Sequence, residues 1–424
     1  MLETYFPDKS EHYIPQKLAV RNAVEKPFTI ISGGPGTGKT FVIQLIRQIL
    51  TEHAQKTGAP VPRILCLAPT GKAASKMENG RTIHSALKPL KEGQKFYHNK
   101  QNPLHYDIIF IDEASMIDLP LFVRLLEAIP DTAKVILTGD AHQLSAIQAG
   151  AVFSDLCKID ALASHRFELE YNFRSQGKTG IEQLSRAIKD SRIESIEKIF
   201  LSDQYPDVQF KALDQTASLK DILTETIPAG YNPLLRAESV EQALANADSF
   251  RVLCAHHQGS FGTVQINPVC ENILHSYKNF DMQPEGFCRL IMIKVNDYKK
   301  ELFNGDTGLI VEQNGERTAF FKKADNQIKS FRYSDLPSHE PAFAITIHKS
   351  QGSEFDTVLI IIPDKFSPVV TRELLYTGVT RARKKVIIAG NHETIKNAIQ
   401  VDVKRYSGIE DHMTDIDQTY IGEI

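Results

Sequence analysis

Phe28-Thr29-Ile30-Ile31-Ser32-Gly33-Gly34-Pro35-Gly36-Thr37-Gly38-Lys39-Thr40 decides the fold. A β-rich apolar run, Phe28 to Ile31, leads into Gly33 to Thr40, which fits the pattern GxxxxGK[ST]. Behind it, Val42, Leu45, Ile46, Ile49 and Leu50 fall on one helical stripe, so a helix is expected from Thr40 to Leu50. Strand, glycine-rich turn and helix in this order make a phosphate cradle. Gly33, Gly34, Gly36 and Gly38, with Pro35 and Thr37 between them, let backbone N–H groups converge on phosphate oxygens. The helix N-terminus adds partial positive charge. Lys39 is expected to reach the β and γ phosphates of a nucleotide, and the Thr40 hydroxyl to ligate Mg²⁺. The competing reading is a glycine-rich turn that matches by chance; the flanking strand and helix weigh against it.

Outward from the cradle, short β-rich runs alternate with helical patterns. Ile64 to Ala68, Ile108 to Ile111 and Val135 to Thr138 read as strands. Phe122, Leu125, Leu126 and Ile129 mark an amphipathic helix between the last two. Such alternation predicts an α/β fold with a parallel sheet and helices on both faces. The strand Ile108 to Ile111 ends in Asp112-Glu113. Asp112 is expected to hold Mg²⁺ through water and Glu113 to polarise the attacking water. The next strand ends in Thr138-Gly139-Asp140-Ala141-His142-Gln143-Leu144. Gln143 can sense a γ phosphate there; Asp140 and Gln143 fit equally as satisfied loop residues.

The pattern restarts at Phe167 to Glu170, Arg251 to Ala255, Val358 to Ile362 and Val386 to Ala389, which predicts a second α/β unit. The polar stretch near 202–250 reads as helices and loops on that unit's surface. Between them, Leu309-Ile310-Val311 and Thr318-Ala319-Phe320-Phe321 flank Gln313-Asn314-Gly315-Glu316. Asn-Gly between β-rich runs signals a hairpin, because both turn residues must tolerate positive φ. A small all-β insertion is expected at about 306–338. The tail from 409 carries five acidic residues and no Lys or Arg, and reads as a mobile or partner-binding segment.

Composition sets limits on function. With 424 residues, two to three domains are expected at about 150 residues each. Lys plus Arg is 49 and Asp plus Glu 52, a net charge of −3, so a globally basic coat is excluded and nucleic acid must be held by local patches. The five cysteines (Cys66, Cys157, Cys254, Cys270, Cys288) are odd in number, widely spaced and without a CxxC pair. That argues against a secreted disulfide framework or a zinc ribbon and points to a reducing cytoplasm. No signal-like segment opens the chain, and runs such as Val358 to Ile362 are too short to span a bilayer, so no membrane role is expected. No His/Cys cluster has metal-ligand spacing, and no acidic constellation suits a nuclease.

A motor that moves on ATP needs charge on the far side of the γ phosphate, and the planar fork of arginine suits that task. Arg174 follows Tyr171-Asn172-Phe173. Arg381 lies in Tyr376-Thr377-Gly378-Val379-Thr380-Arg381-Ala382-Arg383, where Leu375, Val379 and Ala382 make a helical apolar stripe. Most arginines are solvated surface residues, and composition alone leaves both open.

Taken in order, these segments resemble superfamily 1 helicases. The cradle, Asp112-Glu113-Ala114-Ser115 and Gly139-Asp140-x-His142-Gln143-Leu144 are similar to motifs I, II and III. Ala68-Pro69-Thr70-Gly71-Lys72-Ala73-Ala74 resembles motif Ia, and Asn172-Phe173-Arg174-Ser175 resembles motif IV. Thr346-Ile347-His348-Lys349-Ser350-Gln351-Gly352-Ser353-Glu354 resembles motif V, and Tyr376 to Arg383 motif VI. Gln16 stands where the family has its adenine-reading glutamine. Asn296-Asp297-Tyr298 with Phe303-Asn304-Gly305-Asp306-x-Gly308, and Phe96 to Leu104, are similar to RecD, the α subunit of exodeoxyribonuclease V. The resemblance covers roughly residues 10–395. Some thirty residues precede Gly33, where RecD proteins usually carry a further domain ahead of the nucleotide-binding core.

The resemblance implies two RecA-like P-loop NTPase lobes with an SH3-like insertion. The first lobe is expected at 1–165 with a small insertion near 85–105. The second is expected at 166–305 and 339–408, the SH3-like insertion at 306–338 and the acidic tail at 409–424. It implies an ATP- and Mg²⁺-dependent DNA helicase moving 5′ to 3′ on single-stranded DNA up to duplex junctions, within double-strand-break repair and recombination. RecB- and RecC-like subunits are then the expected partners. Phe173 is expected to stack on the base, and Gln143, Arg174 and Arg381 to meet the γ phosphate. Thr70, Lys72, Thr82 and His84 are the expected DNA contacts of the first lobe; Thr346, His348, Lys349 and Ser350 are those of the second. For His84 and His348 an ordinary buried imidazole is the alternative. The competing functions are a stand-alone helicase, a conjugative relaxase motor, and a non-motor ATP-switch scaffold.

Overall fold

The computed structural model describes residues 5–6, 10–90, 95–145, 150–174, 179–213, 218–277, 289–313, 315–323, 326–401 and 408–409. Two compact units divide the chain, Met1–Gly177 with Lys404–Ile424, and Lys178–Val403.

The first unit is a parallel sheet of β1 (Phe28–Gly33), β2 (Ile64–Ala68), β3 (Arg81–Thr82), β4 (Ile108–Ile111), β5 (Lys134–Gly139) and β6 (Arg166–Leu169). Their spatial order is β3-β2-β4-β5-β1-β6. The two-residue alternation of strands explains why nearly continuous apolar runs form it. Ile30, Leu65, Leu67, Ile109 and Ile111 enter the core on one face. Ile31, Cys66, Ala68, Ile108 and Phe110 enter the core on the other. The helix after the cradle runs Lys39–Thr57 and buries Val42, Leu45 and Ile46. It is seven residues longer than the apolar stripe predicts at its C-terminal end. It stops at Gly58, whose φ of +68° makes a left-handed cap donating to Ala54 O.

The expected boundary at 165 needs correction. Arg166–Leu169 is not the first strand of a second unit; it pairs in parallel with β1, Ile31 opposite Phe167. The excursion near 85–105 is small, with isolated bridges Pro89↔Phe96 and Asn99↔Asn102. The acidic residues of the tail lie outside the described residues; Ile409 packs against the first unit's core.

In the second unit, after the helices Gly180–Lys189 and Ile193–Leu201, come β7 (Val208–Ala212) and β8 (Phe250–Cys254). β7 corrects the reading of 202–250 as helices and loops: a half-buried edge strand was hidden in a polar stretch. Next comes the all-β insertion: β9 (Arg289–Ile293), β10 (Thr307–Gln313), β11 (Glu316–Lys322), β12 (Ile328–Arg332) and β13 (His339–Pro341). These form one antiparallel sheet, β12-β11-β10-β9-β13. The insertion therefore spans 289–341 rather than 306–338, because β9 and β13 join it and not the parallel sheet. The Asn-Gly hairpin forms as predicted, with Gln313 opposite Glu316 and Gly315 at φ +80°. Asn314 itself lies outside the described residues. β14 (Ala344–Thr346), β15 (Phe355–Ile361) and β16 (Ala382–Gly390) return to a parallel sheet of order β14-β8-β15-β16-β7. Among the described residues, no helix is long and apolar enough to cross a membrane.

Candidate nucleotide-binding and catalytic site

In an open parallel sheet the ligand site lies beyond the carboxyl ends of the strands. In the first unit β4, β5, β1 and β6 are neighbours, so the residues that follow them are brought to one edge: Asp112, Asp140, the cradle and Asn172.

The cradle is conformationally committed. Gly36 has φ +79° and Gly38 φ +90°, and Gly38 is the N-cap of the helix Lys39–Thr57. A Cβ on Gly36 would stand 2.5 Å from Asn172 Oδ1, so the position excludes a side chain on two grounds. Lys39 sits over the turn, its ammonium donating to Gly33 O at 2.5 Å and Gly34 O at 3.0 Å. Thr40 is exposed at the first turn of the helix.

Two groups hold Asp112 in place. Its Oδ1 accepts from the Thr138 hydroxyl at 2.5 Å and from the Glu113 N–H at 2.9 Å. Glu113 adopts φ +53°, ψ 38°, a left-handed conformation that costs a non-glycine residue on the order of 1–3 kcal/mol. Such strain at the end of a strand re-aims the side chain, and here it belongs to the carboxylate expected to orient water. Gln143 is buried, its Nε2 donating to Asp140 Oδ2 at 2.9 Å. Asp140 also accepts from the His142 N–H, so it fixes the turn that carries Gln143.

The segment after β6 is stitched to the cradle. Asn172 Nδ2 donates to Pro35 O at 3.2 Å and the Phe173 N–H to Gly36 O at 3.0 Å. Arg174 is exposed, with its N–H donating to Asn172 Oδ1. Phe173 stacks on Tyr13, centroids 4.8 Å apart, and meets the edge of Tyr171; Tyr171 stacks on His12 at 3.7 Å. Nothing in the sequence signals this aromatic group, because its members are far apart along the chain. Thr138 was missed too; its only signal is a polar residue near the end of an apolar strand.

Gln16 tests whether a nucleotide base fits. It is buried, and its Nε2 donates to Thr37 O at 3.1 Å. That bond fixes the amide orientation and leaves Oε1 buried without a partner. An orphaned acceptor beside the cradle matches the exocyclic amino group of adenine, a donor. Among the described residues, no group of three or more His, Cys, Asp or Glu could hold a metal by itself. Thr40 and Asp112 offer a hydroxyl and a carboxylate, oxygen donors of the kind that magnesium takes together with phosphate and water.

The expected DNA contacts of the first unit lie on adjacent strand ends. Thr70 and Lys72 follow β2; Thr82 closes β3 and His84 follows it. Thr70 Oγ1 caps the turn Gly71–Ala74 and Thr82 Oγ1 caps Ile83–Leu87. Capping uses a lone pair and leaves each hydroxyl proton to donate. His84 is exposed, which removes the buried-imidazole alternative for it. In the second unit Thr346 accepts from the Lys349 N–H, and His348–Ser350 form one 3₁₀ turn. Ser350 needs correction: it is fully buried and its hydroxyl donates to Ile347 O, so it shapes the turn and presents nothing to a strand. Arg381 is also buried, donating to Thr377 O at 3.2 Å and Ser353 O at 3.0 Å.

A carboxylate pair whose second member is strained, beside a glycine cradle on one parallel sheet and followed by a second parallel sheet in the same chain, defines a P-loop nucleotide hydrolase with two RecA-like lobes. Family models for an AAA domain and a UvrD-like helicase C-terminal domain match residues 16–149 and 341–389. The RecBCD enzyme subunit RecD of Mycobacterium tuberculosis is 33% identical, the match covering 93% of this chain and 72% of that protein. The corresponding subunit of Haemophilus influenzae is 30% identical, covering 98% and 74%. The ATP-dependent RecD2 DNA helicase of Deinococcus radiodurans is 30% identical, covering 85% of this chain and 47% of that protein. A Bacteroides Pif1 helicase solved with ADP-AlF3 and ssDNA shares the fold, with TM-score 0.53 and 17% identity over 99% of this chain and 98% of that one. The chain belongs to the RecD family of superfamily 1 helicases, and is an ATP-dependent DNA helicase of RecD type.

Proposed function

We propose that this chain moves 5′ to 3′ along single-stranded DNA toward duplex junctions, in the cytoplasm, as the RecD-type motor of a RecB- and RecC-containing repair complex. The observation that carries the motor reading is the set of strand ends β4, β5, β1 and β6, which lines up Asp112, Gln143, the cradle and Phe173. The extent of the match to RecBCD subunits, 98% and 93% of this chain, favours the complex. The RecD2 likeness supports the second reading, a helicase acting alone.

In this mechanism ATP binds with its triphosphate in the cradle. Lys39 contacts the β and γ phosphates. Gln16 Oε1 accepts from the adenine amino group and Phe173 packs on the base with the face that Tyr13 leaves uncovered. Thr40 and Asp112 would hold Mg²⁺, which would supply Lewis-acid neutralisation of phosphate charge. Glu113 orients the water that attacks the γ phosphorus, and Gln143, Arg174 and Arg381 stabilise the charge that develops. Differential contacts to ATP and ADP shift the conformational equilibrium of the chain and move the strand.

Unwinding of duplexes with a 5′ or a 3′ single-stranded tail tests polarity. Unwinding from the 5′ tail only is expected; equal unwinding from both sinks the directional reading. Co-purification with RecB- and RecC-like subunits separates the complex from the lone helicase. Thr138→Val tests the support of Asp112. The apparent Mg²⁺ requirement of ATP turnover is expected to rise roughly tenfold, as when a residue behind a metal ligand is removed. An unchanged Mg²⁺ titration would detach Thr138 and Asp112 from the metal.

A further inference from the structure

We propose that Glu340 is a gate on the DNA track of the second unit. Its carboxylate holds the Lys349 ammonium and competes with strand phosphate for it, setting how tightly the strand is gripped. The inference rests on the reading of Lys349 as a phosphate contact.

The pair is close, with Lys349 Nζ 2.5 Å from Glu340 Oε1. The lysine side chain is 37% exposed and the glutamate 18%, so the pair is reachable from solvent and the glutamate is its more enclosed member. The two come from different structures. Lys349 belongs to the turn His348–Ser350; Glu340 comes from β13, the last strand of the all-β insertion.

Both supports are rigid. β13 is registered on β9, Glu340 opposite Met292. The chain beyond it is clamped by three buried side chains aimed at consecutive residues. Arg251 donates to Ala342 O. The Tyr231 hydroxyl donates to Phe343 O at 2.6 Å. Asn267 exchanges two hydrogen bonds with Ala344, each 2.8 Å. On the other side, Thr346 Oγ1 accepts from the Lys349 N–H and Ser350 ties the turn to Ile347. An ordinary surface ion pair is weakened by the entropy of ordering two free side chains. Here both backbones are already fixed, and only the outer torsions must be ordered.

A phosphate reaching Lys349 therefore meets a charge that is already neutralised and a carboxylate of its own sign. With the carboxylate removed, the full charge and all three ammonium donors become available to the strand. A stepping motor must let go of each phosphate it has held, and affinity differences are mostly differences in release rate. Glu340 keeps that release fast.

Binding of fluorescein-labelled oligothymidylate to the full chain, across a salt series, tests this with Glu340→Gln, Lys349→Ala and the double variant. Glu340→Gln is expected to tighten binding roughly three- to tenfold at low salt. It should steepen the fall of log K with log salt by about 0.7, one phosphate contact's worth. In the Lys349→Ala background the same change should do neither. If Lys349→Ala weakens binding and Glu340→Gln leaves it unchanged, the gate is overturned and the phosphate contact stands. If Glu340→Gln weakens binding, the carboxylate orients the lysine rather than opposing the strand, and the gate is again overturned. If Lys349→Ala changes neither affinity nor slope, the phosphate contact fails and takes the gate with it. Circular dichroism melts keep loss of fold apart from loss of binding.

Discussion

Replacing Lys39 with alanine is expected to bring ATP turnover to background, a fall of at least ~10³-fold, while the fold survives. The ammonium is the one side-chain cation built into the cradle itself. It lies against Gly33 O and Gly34 O, carbonyls at the mouth of the turn where phosphate oxygens would enter. Phosphate oxygens carry full charge and these carbonyls only partial charge, so the ammonium gains by moving to the nucleotide. The variant takes one donor from each of two carbonyls, of which Gly34 O keeps the Thr37 hydroxyl at 2.8 Å. The expected cost is about 1 kcal/mol and a melting shift of about 2–4 °C. Lys39→Arg should not rescue turnover, because a planar fork cannot occupy the place of a compact point charge. The measurement is steady-state ATP hydrolysis with and without single-stranded DNA, beside a thermal melt. Turnover within tenfold of the unaltered protein would remove the cradle from catalysis.

The parts of this site that lie along consecutive residues were legible in the sequence. The cradle, the strand ending at Asp112-Glu113 and the helix behind Lys39 depend on local pattern, and all three form, the helix running seven residues past its expected end. Parts that depend on which strand meets which were not legible. Arg166–Leu169 reads as a strand, yet no local feature says that it joins β1. Arg289–Ile293 is a buried apolar run that would suit a parallel sheet, and it lies instead in the antiparallel insertion. The stitching of Asn172 to Pro35 spans 137 residues and has no signature in either segment. Nor has the strain at Glu113, which only backbone geometry reveals. Arg251 shows the limit from the other side. Charge and position suggest a solvated surface residue, yet it is 1% exposed and lies over the Phe355 ring. One of its donors serves Ala247 O, four residues back, and another serves Ala342 O, which lies 91 residues on, beyond the insertion.

Arg381→Ala is expected to lower kcat by ~10³-fold with little change in ATP affinity, as for arginines that stabilise charge only in the transition state of phosphoryl transfer. The geometry makes this a demanding claim. The guanidinium is 3% exposed and satisfied within its own unit by Thr377 O and Ser353 O. To act on a nucleotide it must exchange those neutral acceptors for charged phosphate oxygens, which form stronger hydrogen bonds. Ser353 lies in the loop that follows Lys349, so movement of that loop on a strand would loosen one of the restraints on the guanidinium. Such movement would link DNA binding to release of the arginine, and turnover is then expected to rise when DNA is added. Arg383 provides the control. It is 38% exposed and ion-paired with Asp356, so its removal should leave kcat within a few-fold of the unaltered protein, as for other exposed pairs. Arg381→Lys should not restore the rate, since an ammonium cannot span two phosphate oxygens as a fork does. Removing a buried arginine also strips Ser353 O of its donor, at about 1–3 kcal/mol, while Thr377 O keeps the Thr380 hydroxyl, so kcat must be read well below the variant's melting temperature. A large melting shift with kcat unchanged at that temperature would make Arg381 a brace of its own unit and leave the transition-state charge to Arg174.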